Sequence, residues 1–208
     1  MFTGIIEEIG IIKAKEARAE LLEITVLAPK TTPKLAPGDS IAIDGACFTV
    51  VTHTPDTFTV EAISETQART IIKNYTEGTQ VNLETTLTLQ KGISGHLVQG
   101  HIDGVGTVTS INDQHEIEIT FPQALSRFLA FKGSVTVNGV SLTISKLLDT
   151  SFVVSLIPFT LEQTNLGKLI VSNEVNLEID LIARYLERMV DEKEGHTQYN
   201  FLKERNLI

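Results

Sequence analysis

Only one cysteine, Cys47, occurs in the chain. A single thiol cannot form an intramolecular disulfide, so the fold needs no oxidising compartment. Basic excess is missing too. Seventeen Lys and Arg stand against 26 Asp and Glu, a formal net charge of -9 at pH 7. A nucleic-acid binder would need a basic face to neutralise phosphates, so no nucleic-acid partner is expected. No apolar run approaches the ~18 residues of a membrane span. The opening MFTGIIEEIG carries Glu7 and Glu8 where a signal peptide would be apolar. The expectation is a soluble cytoplasmic protein with no membrane partner.

Familiar chemical motifs are also lacking. There is no phosphate-binding G-x-x-x-x-G-K-[ST] and no G-x-S-x-G nucleophile elbow. The glycine-rich stretch from Gly92 to Gly106 runs on as strand at Thr107 and Val108, so it opens no dinucleotide-binding helix. His96 and His101 are five apart, not a helical i,i+4 pair, and no second ligand cluster follows. No metal site is expected.

What is present is a repeat. IDGACFTVV from Ile43 to Val51 and VNGVSLTIS from Val137 to Ser145 share one frame: aliphatic, Asp or Asn, Gly, two varied residues, an apolar residue, Thr. At this offset of 94, Gly45 pairs with Gly139, Thr49 with Thr143, Phe58 with Phe152 and Val60 with Val154. Ile63 pairs with Ile157, Thr66 with Thr160 and Thr70 with Thr164. Val81-Asn82-Leu83-Glu84 recurs as Val175-Asn176-Leu177-Glu178. Near the start of each copy the offset becomes 96, pairing Gly4 with Gly100, Ile6 with Ile102 and Gly10 with Gly106. A loop differing in length between strands explains that slip. At 208 residues the chain holds two domains of about 100 each, and two repeats are too few for a solenoid.

Period-two alternation dominates each copy, as in Leu22, Ile24, Val26 and in Ile117, Ile119. Pro37-Gly38-Asp39, Asp44-Gly45, Lys132-Gly133 and Asn138-Gly139 mark turns. Many short strands in under about 100 residues predict a small closed antiparallel barrel, which hides its sheet edges. Short helices are expected near Thr31–Leu35, Gln67–Asn74, Pro122–Phe128 and Leu161–Leu166. The fold class is mainly β: two tandem similar six-stranded barrels and a C-terminal α-helix. Boundaries are expected at 1–96, 97–184 and 185–208. From Leu181 the apolar residues Tyr185, Leu186, Met189 and Val190 recur at helical spacing, with Gly195 as the expected stop. That helix either packs on its own barrel or serves oligomerisation.

Chemistry is sought where the copies differ. Ile5 stands against His101, Cys47 against Ser141, Asp44 against Asn138 and Thr86 against Asp180. Each has an ordinary reading. A lone Cys is commonly a buried small hydrophobe, a Ser satisfies turn backbone, and Asp180 is placed to cap the C-terminal helix. Together, His101, Ser141 and Asp180 make the second copy the more polar, while the first holds the thiol.

The opening Met1-Phe2-Thr3-Gly4-Ile5-Ile6 and the segment Gly95-His96-Leu97-Val98-Gln99-Gly100-His101 join the two D/N-G-x-C/S-x-T motifs and the Val-Asn-Leu-Glu repeats in a set. This set resembles the riboflavin synthase family over the whole chain. The resemblance implies two six-stranded Greek-key barrels, each binding one 6,7-dimethyl-8-ribityllumazine. It implies a transferase that dismutates two such molecules, moving a four-carbon unit between them to give riboflavin and 5-amino-6-ribitylaminouracil, with no cofactor. It also implies a homotrimer joined by the C-terminal helix and an active site between the first barrel of one subunit and the second of its neighbour, and it leaves a lumazine synthase shell open as a candidate partner.

On that resemblance Cys47, His101, Ser141 and Asp180 are the candidate catalytic residues. Gly4, Ile5, Ile6, Cys47, Phe48, Thr49 and Glu61, Ala62, Ile63, Ser64, Glu65, Thr66 are expected around the first barrel's ligand. Gly100, His101, Ile102, Lys132, Ser141, Leu142, Thr143 and Ser155, Leu156, Ile157, Pro158, Phe159, Thr160 are expected around the second's. His101 is the expected proton-transfer group, with Ser141 polarising or adding to the ring, Asp180 orienting that hydroxyl or a water, and Cys47 tuning the partner ring or adding to it. Some relatives carry a second Cys where this chain has Ala46, so a paired-thiol role is excluded. Phe159 stands where the first copy has Glu65, so the second pocket lacks that carboxylate. A non-catalytic antenna protein of the same architecture would have lost part of the polar set. A flavin reductase would need a nicotinamide domain, for which no residues remain.

Overall fold

Alternating side chains close into two barrels. The computed structural model describes residues 1–18 and 20–194. The first unit comprises β1 (Glu8–Arg18), β2 (Leu21–Leu27), β3 (Ser40–Ile43), β4 (Ala46–His53), β5 (Thr57–Ala62), α1 (Ser64–Arg69) and β6 (Gln80–Thr85). The second comprises β7 (Gly104–Ile111), β8 (Glu116–Thr120), β9 (Ser134–Val137), β10 (Val140–Leu147), β11 (Ser151–Ser155), α2 (Pro158–Gln163) and β12 (Glu174–Ile179), followed by α3 (Leu181–Glu194). Each set of six strands closes antiparallel in the same Greek-key order, β1-β2-β5-β4-β3-β6 and β7-β8-β11-β10-β9-β12. Leu22, Ile24 and Val26 point inward from β2 onto Phe58 and Val60, and Ile117 and Ile119 do the same toward Phe152 and Val154. The expected stop at Gly195 lies outside the described residues.

Two of the expected helices are each divided in two. A short α-helix is followed by a 3-10 turn, at Ile71–Asn74 and at Asn165–Lys168. The break falls on Thr70 and Thr164, both extended. Each threonine hydroxyl accepts from the backbone two residues on, Ile72 N (3.4 Å) and Leu166 N (3.3 Å). A side chain that caps the next turn competes with continuing the helix.

The barrels meet back to back on the repeated hairpins. Asp44-Gly45 and Asn138-Gly139 all have positive φ, the two-residue turn that Asp-Gly and Asn-Gly favour. The Asn82 side chain donates to Asn138 O (2.9 Å), and Asn176 donates to Asp44 O (2.9 Å). Asn165 N donates to Asn82 Oδ1 (2.7 Å), and Ile71 N to Asn176 Oδ1 (2.9 Å). These four bonds form two pairs at the offset of 94, so the interface is a local pseudo-twofold, broken where Asn165 also donates to Asp44 (2.8 Å) and its mate Ile71 has no such group. The Asn of each Val-Asn-Leu-Glu segment serves the interface.

Gly45 and Gly139 touch across this axis. A Cβ on Gly139 would lie 2.6 Å from Gly45 N, at a φ of +77°. Gly139→Ala is expected to destabilise the chain by about 2–5 kcal/mol, from left-handed strain plus overpacking. A denaturant titration reads this as a lowered midpoint. An unchanged midpoint would mean that the turns do not meet as described.

Candidate active site

The segments before each barrel cross over. Residues 1–6 and 97–103 form two straps that pair with each other through Phe2 N to Val98 O (2.7 Å) and Val98 N to Phe2 O (3.1 Å). Beyond that bridge they diverge to opposite barrels. Ser141 N, on β10, donates to Gly4 O (2.8 Å), and Cys47 N, on β4, donates to Gly100 O (2.9 Å). Ile6 packs against the second core, and Ile102 against the first.

This exchange corrects the expected grouping. Gly4, Ile5 and Ile6 belong beside Ser141, whereas Gly100, His101 and Ile102 belong beside Cys47. Matching positions along a chain cannot show over which barrel a strap lies. The order of the copies is preserved, but their straps are traded.

The first-barrel cleft has a volume of about 500 Å³ and is lined by Cys47, Thr66, Arg69, His101, Asp103 and Arg184 among others. Ile63 and Glu65 stand on its rim where β5 passes into α1. Cys47 is half-buried. Burial pushes its thiol up, against a lowering hydrogen bond from Ser40, so at neutral pH the sulfur is a neutral thiol. His101 is exposed at the cleft. Glu65 is paired with Arg69 at 3.1 Å on α1. Glu61 and Ala62 end β5, Ser64 opens α1, Phe48 is buried in the core and Thr49 is exposed on β4.

The second barrel carries a different polar group. Ser141 Oγ lies 2.8 Å from His96 Nδ1. His96 was not expected at the site. Burial lowers its pKa, and the Asp180 charge opposes this. The imidazole is therefore neutral at pH 7 and able to take a proton. Its Nε2 is buried with no partner among the described residues. Asp180 caps α3, accepting from Ile182 N at 2.9 Å, as its ordinary reading has it, and its charge reaches His96. His96 had a sequence signal, since it opens the His96 to His101 segment. At the offset of 96 it falls before Met1, and comparing the copies gave it no counterpart.

Of the other residues expected at the second barrel, Leu142 is half-buried and Thr143 exposed on β10. Ser155 ends β11, Leu156 is buried, and Pro158 opens α2. Thr160 is half-buried, and its carbonyl accepts from the Thr164 hydroxyl at 2.7 Å. Ile157 and Phe159 are 62% and 67% exposed and Ile63 is 56% exposed, so apolar residues are left open where both helices begin. Lys132 is exposed, with its ammonium 5.6 Å from the Phe131 ring centroid. Among the described residues no cluster of His, Cys, Asp or Glu could hold a metal, and no helix is long and apolar enough to cross a membrane.

The lumazine binding domain family matches residues 3–86 and 99–180, one match per barrel. A riboflavin synthase of Actinobacillus pleuropneumoniae is 37% identical, over 98% of this chain and 99% of its own. The chain belongs to the riboflavin synthase family. A Mycobacterium tuberculosis riboflavin synthase is 41% identical over 91% of this chain and 98% of its own, and one from Bacillus subtilis is 36% identical over 98% and 96%. Among solved structures, LumP complexed with 6,7-dimethyl-8-(1'-D-ribityl) lumazine superposes with a TM-score of 0.78 at 25% identity, covering 86% of this chain and 99% of that one. LumP complexed with riboflavin gives 0.80 at 26% identity, with the same coverage.

Proposed function

We propose that the chain is a riboflavin synthase that dismutates two molecules of 6,7-dimethyl-8-ribityllumazine. One observation carries the reading. A single chain presents two barrel mouths alike in backbone and unlike in polar side chains: Cys47 with His101 at one, and Ser141 with His96 and Asp180 at the other. Two identical substrates must play two roles, and unequal holders assign them.

The reaction balances without an oxidant or reductant. One lumazine gives up four carbons and leaves as the ribitylamino-uracil; the other takes them and becomes riboflavin. The chemistry needs a proton taken from the C7 methyl of one ring and a nucleophile added at C7 of the other. His96, neutral and bonded to Ser141, is the better-placed base of the two histidines. It can take the Ser141 proton as the hydroxyl adds to the ring, or the methyl proton through that hydroxyl. His101 takes a proton-handling role at the Cys47 cleft. Holding two rings together makes the transfer effectively unimolecular.

Ile182, Tyr185, Leu186, Met189 and Val190 are exposed along α3. These apolar residues support its packing against other copies, as in a homotrimer, rather than on its own barrel. The open apolar residues Ile63, Ile157 and Phe159 support clefts that face a second subunit. The composition supports a cytoplasmic location, and the resemblance leaves a lumazine synthase shell as a candidate partner.

Mixing the purified chain with 6,7-dimethyl-8-ribityllumazine and following riboflavin fluorescence tests the proposal. Steady riboflavin formation is expected, with the uracil product in equal amount. The likeness to LumP, solved in complex with a ribityl lumazine and with riboflavin, favours a second reading, a protein that binds such ligands without turnover. Saturable binding with no product would establish that reading and end the first.

A further inference from the structure

The glutamate of each Val-Asn-Leu-Glu segment has no part in the barrel cores or in the chemistry above. Glu84 and Glu178 are each 2% exposed. Glu84 accepts from Thr3 N (2.7 Å), the Thr3 hydroxyl (2.7 Å) and Gly4 N (2.9 Å). Glu178 accepts from Gln99 N (2.8 Å) and Gly100 N (3.0 Å). Each carboxylate thus grips the strap at the glycine that meets the opposite barrel.

The grip continues to the reactive side chains. The Gly100 peptide receives Glu178 on its N–H side, while Gly100 O accepts from Cys47 N (2.9 Å). The Gly4 peptide does the same between Glu84 and Ser141 N (2.8 Å). There is no slack at either contact. A Cβ on Gly100 would lie 2.6 Å from Cys47 Cβ, and one on Gly4 would lie 2.6 Å from Ser141 Cβ.

Each grip is backed by a second carboxylate and a cation. Lys91 Nζ lies 2.7 Å from Glu7 and 3.9 Å from Glu84. Arg184, from α3, holds both Asp103 oxygens at 2.8 and 2.9 Å. Its charge, with the strap N–H groups, opposes the burial that pushes the Glu178 carboxyl up to about 7, so the clamp is fully ionised only above neutral pH. Glu7 and Asp103 correspond at the offset of 96. A buried carboxylate facing two N–H groups suits an acceptor-only side chain; an amide would turn a donor on one of them.

We propose that Glu178 and Glu84 are positioning residues, clamps that fix the exchanged straps: Glu178 sets His101 over Cys47, and Glu84 sets Ile5 over Ser141. This assignment rests on the proposed activity only for its effect on turnover. The geometric part has its own reporter, because Cys47 is the single thiol of the chain.

The test uses the full chain with Glu178→Gln, Glu84→Gln and the milder Arg184→Gln, which removes the backing cation. Iodoacetamide alkylation of Cys47 is followed by mass, and riboflavin formation by fluorescence. Because burial and also the Glu178 charge raise the Cys47 pKa, rates are compared at equal thiolate fraction from full pH profiles. Alkylation is then expected to accelerate about tenfold in Glu178→Gln, the size of one charge-assisted hydrogen bond, less in Arg184→Gln, and not in Glu84→Gln. Turnover is expected to fall about 10- to 100-fold in both glutamate variants, as misplaced reacting groups do. Unchanged alkylation in both Glu178→Gln and Arg184→Gln would overturn the clamp. Equal acceleration in Glu84→Gln would mean general loosening and overturn it as well. Wild-type turnover in the glutamate variants would remove the positioning role. Should Glu178→Gln fail to fold, Arg184→Gln carries the same comparison. A wild-type chain that forms no riboflavin would sink the proposed activity and leave the alkylation result standing.

Discussion

His96→Gln is expected to lower riboflavin formation by about 10²–10⁴-fold, the range that a general acid or base supplies. Glutamine retains a hydrogen bond to Ser141 but cannot exchange a proton at neutral pH. Riboflavin affinity is expected to change by less than about fivefold, since one neutral hydrogen bond is worth roughly 1 kcal/mol. The split between turnover and affinity, read from initial rates and a fluorescence titration, identifies a group acting on the reaction. His96 is held below its usual titration range by burial, with Asp180 opposing. Activity should therefore fall as acid protonates His96. A variant with more than half of wild-type turnover would remove His96 as the base and return the role to His101.

Asp44→Asn is expected to stabilise the chain at pH 8 and to leave it nearly unchanged at pH 4. Asp44 is buried at the twofold between the barrels. It accepts from Asn82 N (2.8 Å), Asn165 Nδ2 (2.8 Å) and the Tyr75 hydroxyl (2.7 Å). Burial outweighs these donors and pushes its carboxyl from 3.8 up to about 7. A folded-state pKa above the unfolded one means that the folded chain binds the proton more tightly. Stability is then lost as pH rises from about 4 to about 7 and stays low beyond it. Three pH units at 1.36 kcal/mol each set an upper scale of about 4 kcal/mol. Asparagine removes the charge, keeps an oxygen for Asn82 and Asn165, and presents an N–H to a rotated Tyr75 hydroxyl. It is also the residue at the twofold mate, Asn138. Urea midpoints at pH 4 and pH 8 measure the difference; an equal shift at both would show that charge is not the cause.

Much of the architecture was legible because the repeat fixed it. Gly45 and Gly139, with Asp44 and Asn138 before them, named both hairpins, and the period-two runs named the strands that carry Ile24, Phe58, Ile119 and Phe152. The helical periodicity from Leu181 located α3. The candidate positions Cys47, Ser141 and Asp180 stand out in the sequence as differences between copies. Two things were not legible. The exchange of straps depends on hydrogen bonds from Ser141 to Gly4 and from Cys47 to Gly100, and no pattern along the chain encodes a choice between two barrels with equivalent edges. His96 lies in the joint between copies, where comparison has nothing to compare. The buried glutamates were visible as a motif without a purpose, because the strap N–H groups they satisfy are about 80 positions away along the chain.

The traded straps bear on how such a chain could begin. One repeat standing alone would have an arm with no surface to lie on and a barrel with a bare rim. Two identical copies would complete each other at once, arm for arm, about the Phe2–Val98 bridge. An arm-exchanged dimer of a half-length protein would have this same geometry. Joining the two genes would then have kept every contact while freeing the halves to diverge, so that a thiol and a serine could occupy what had been the same position.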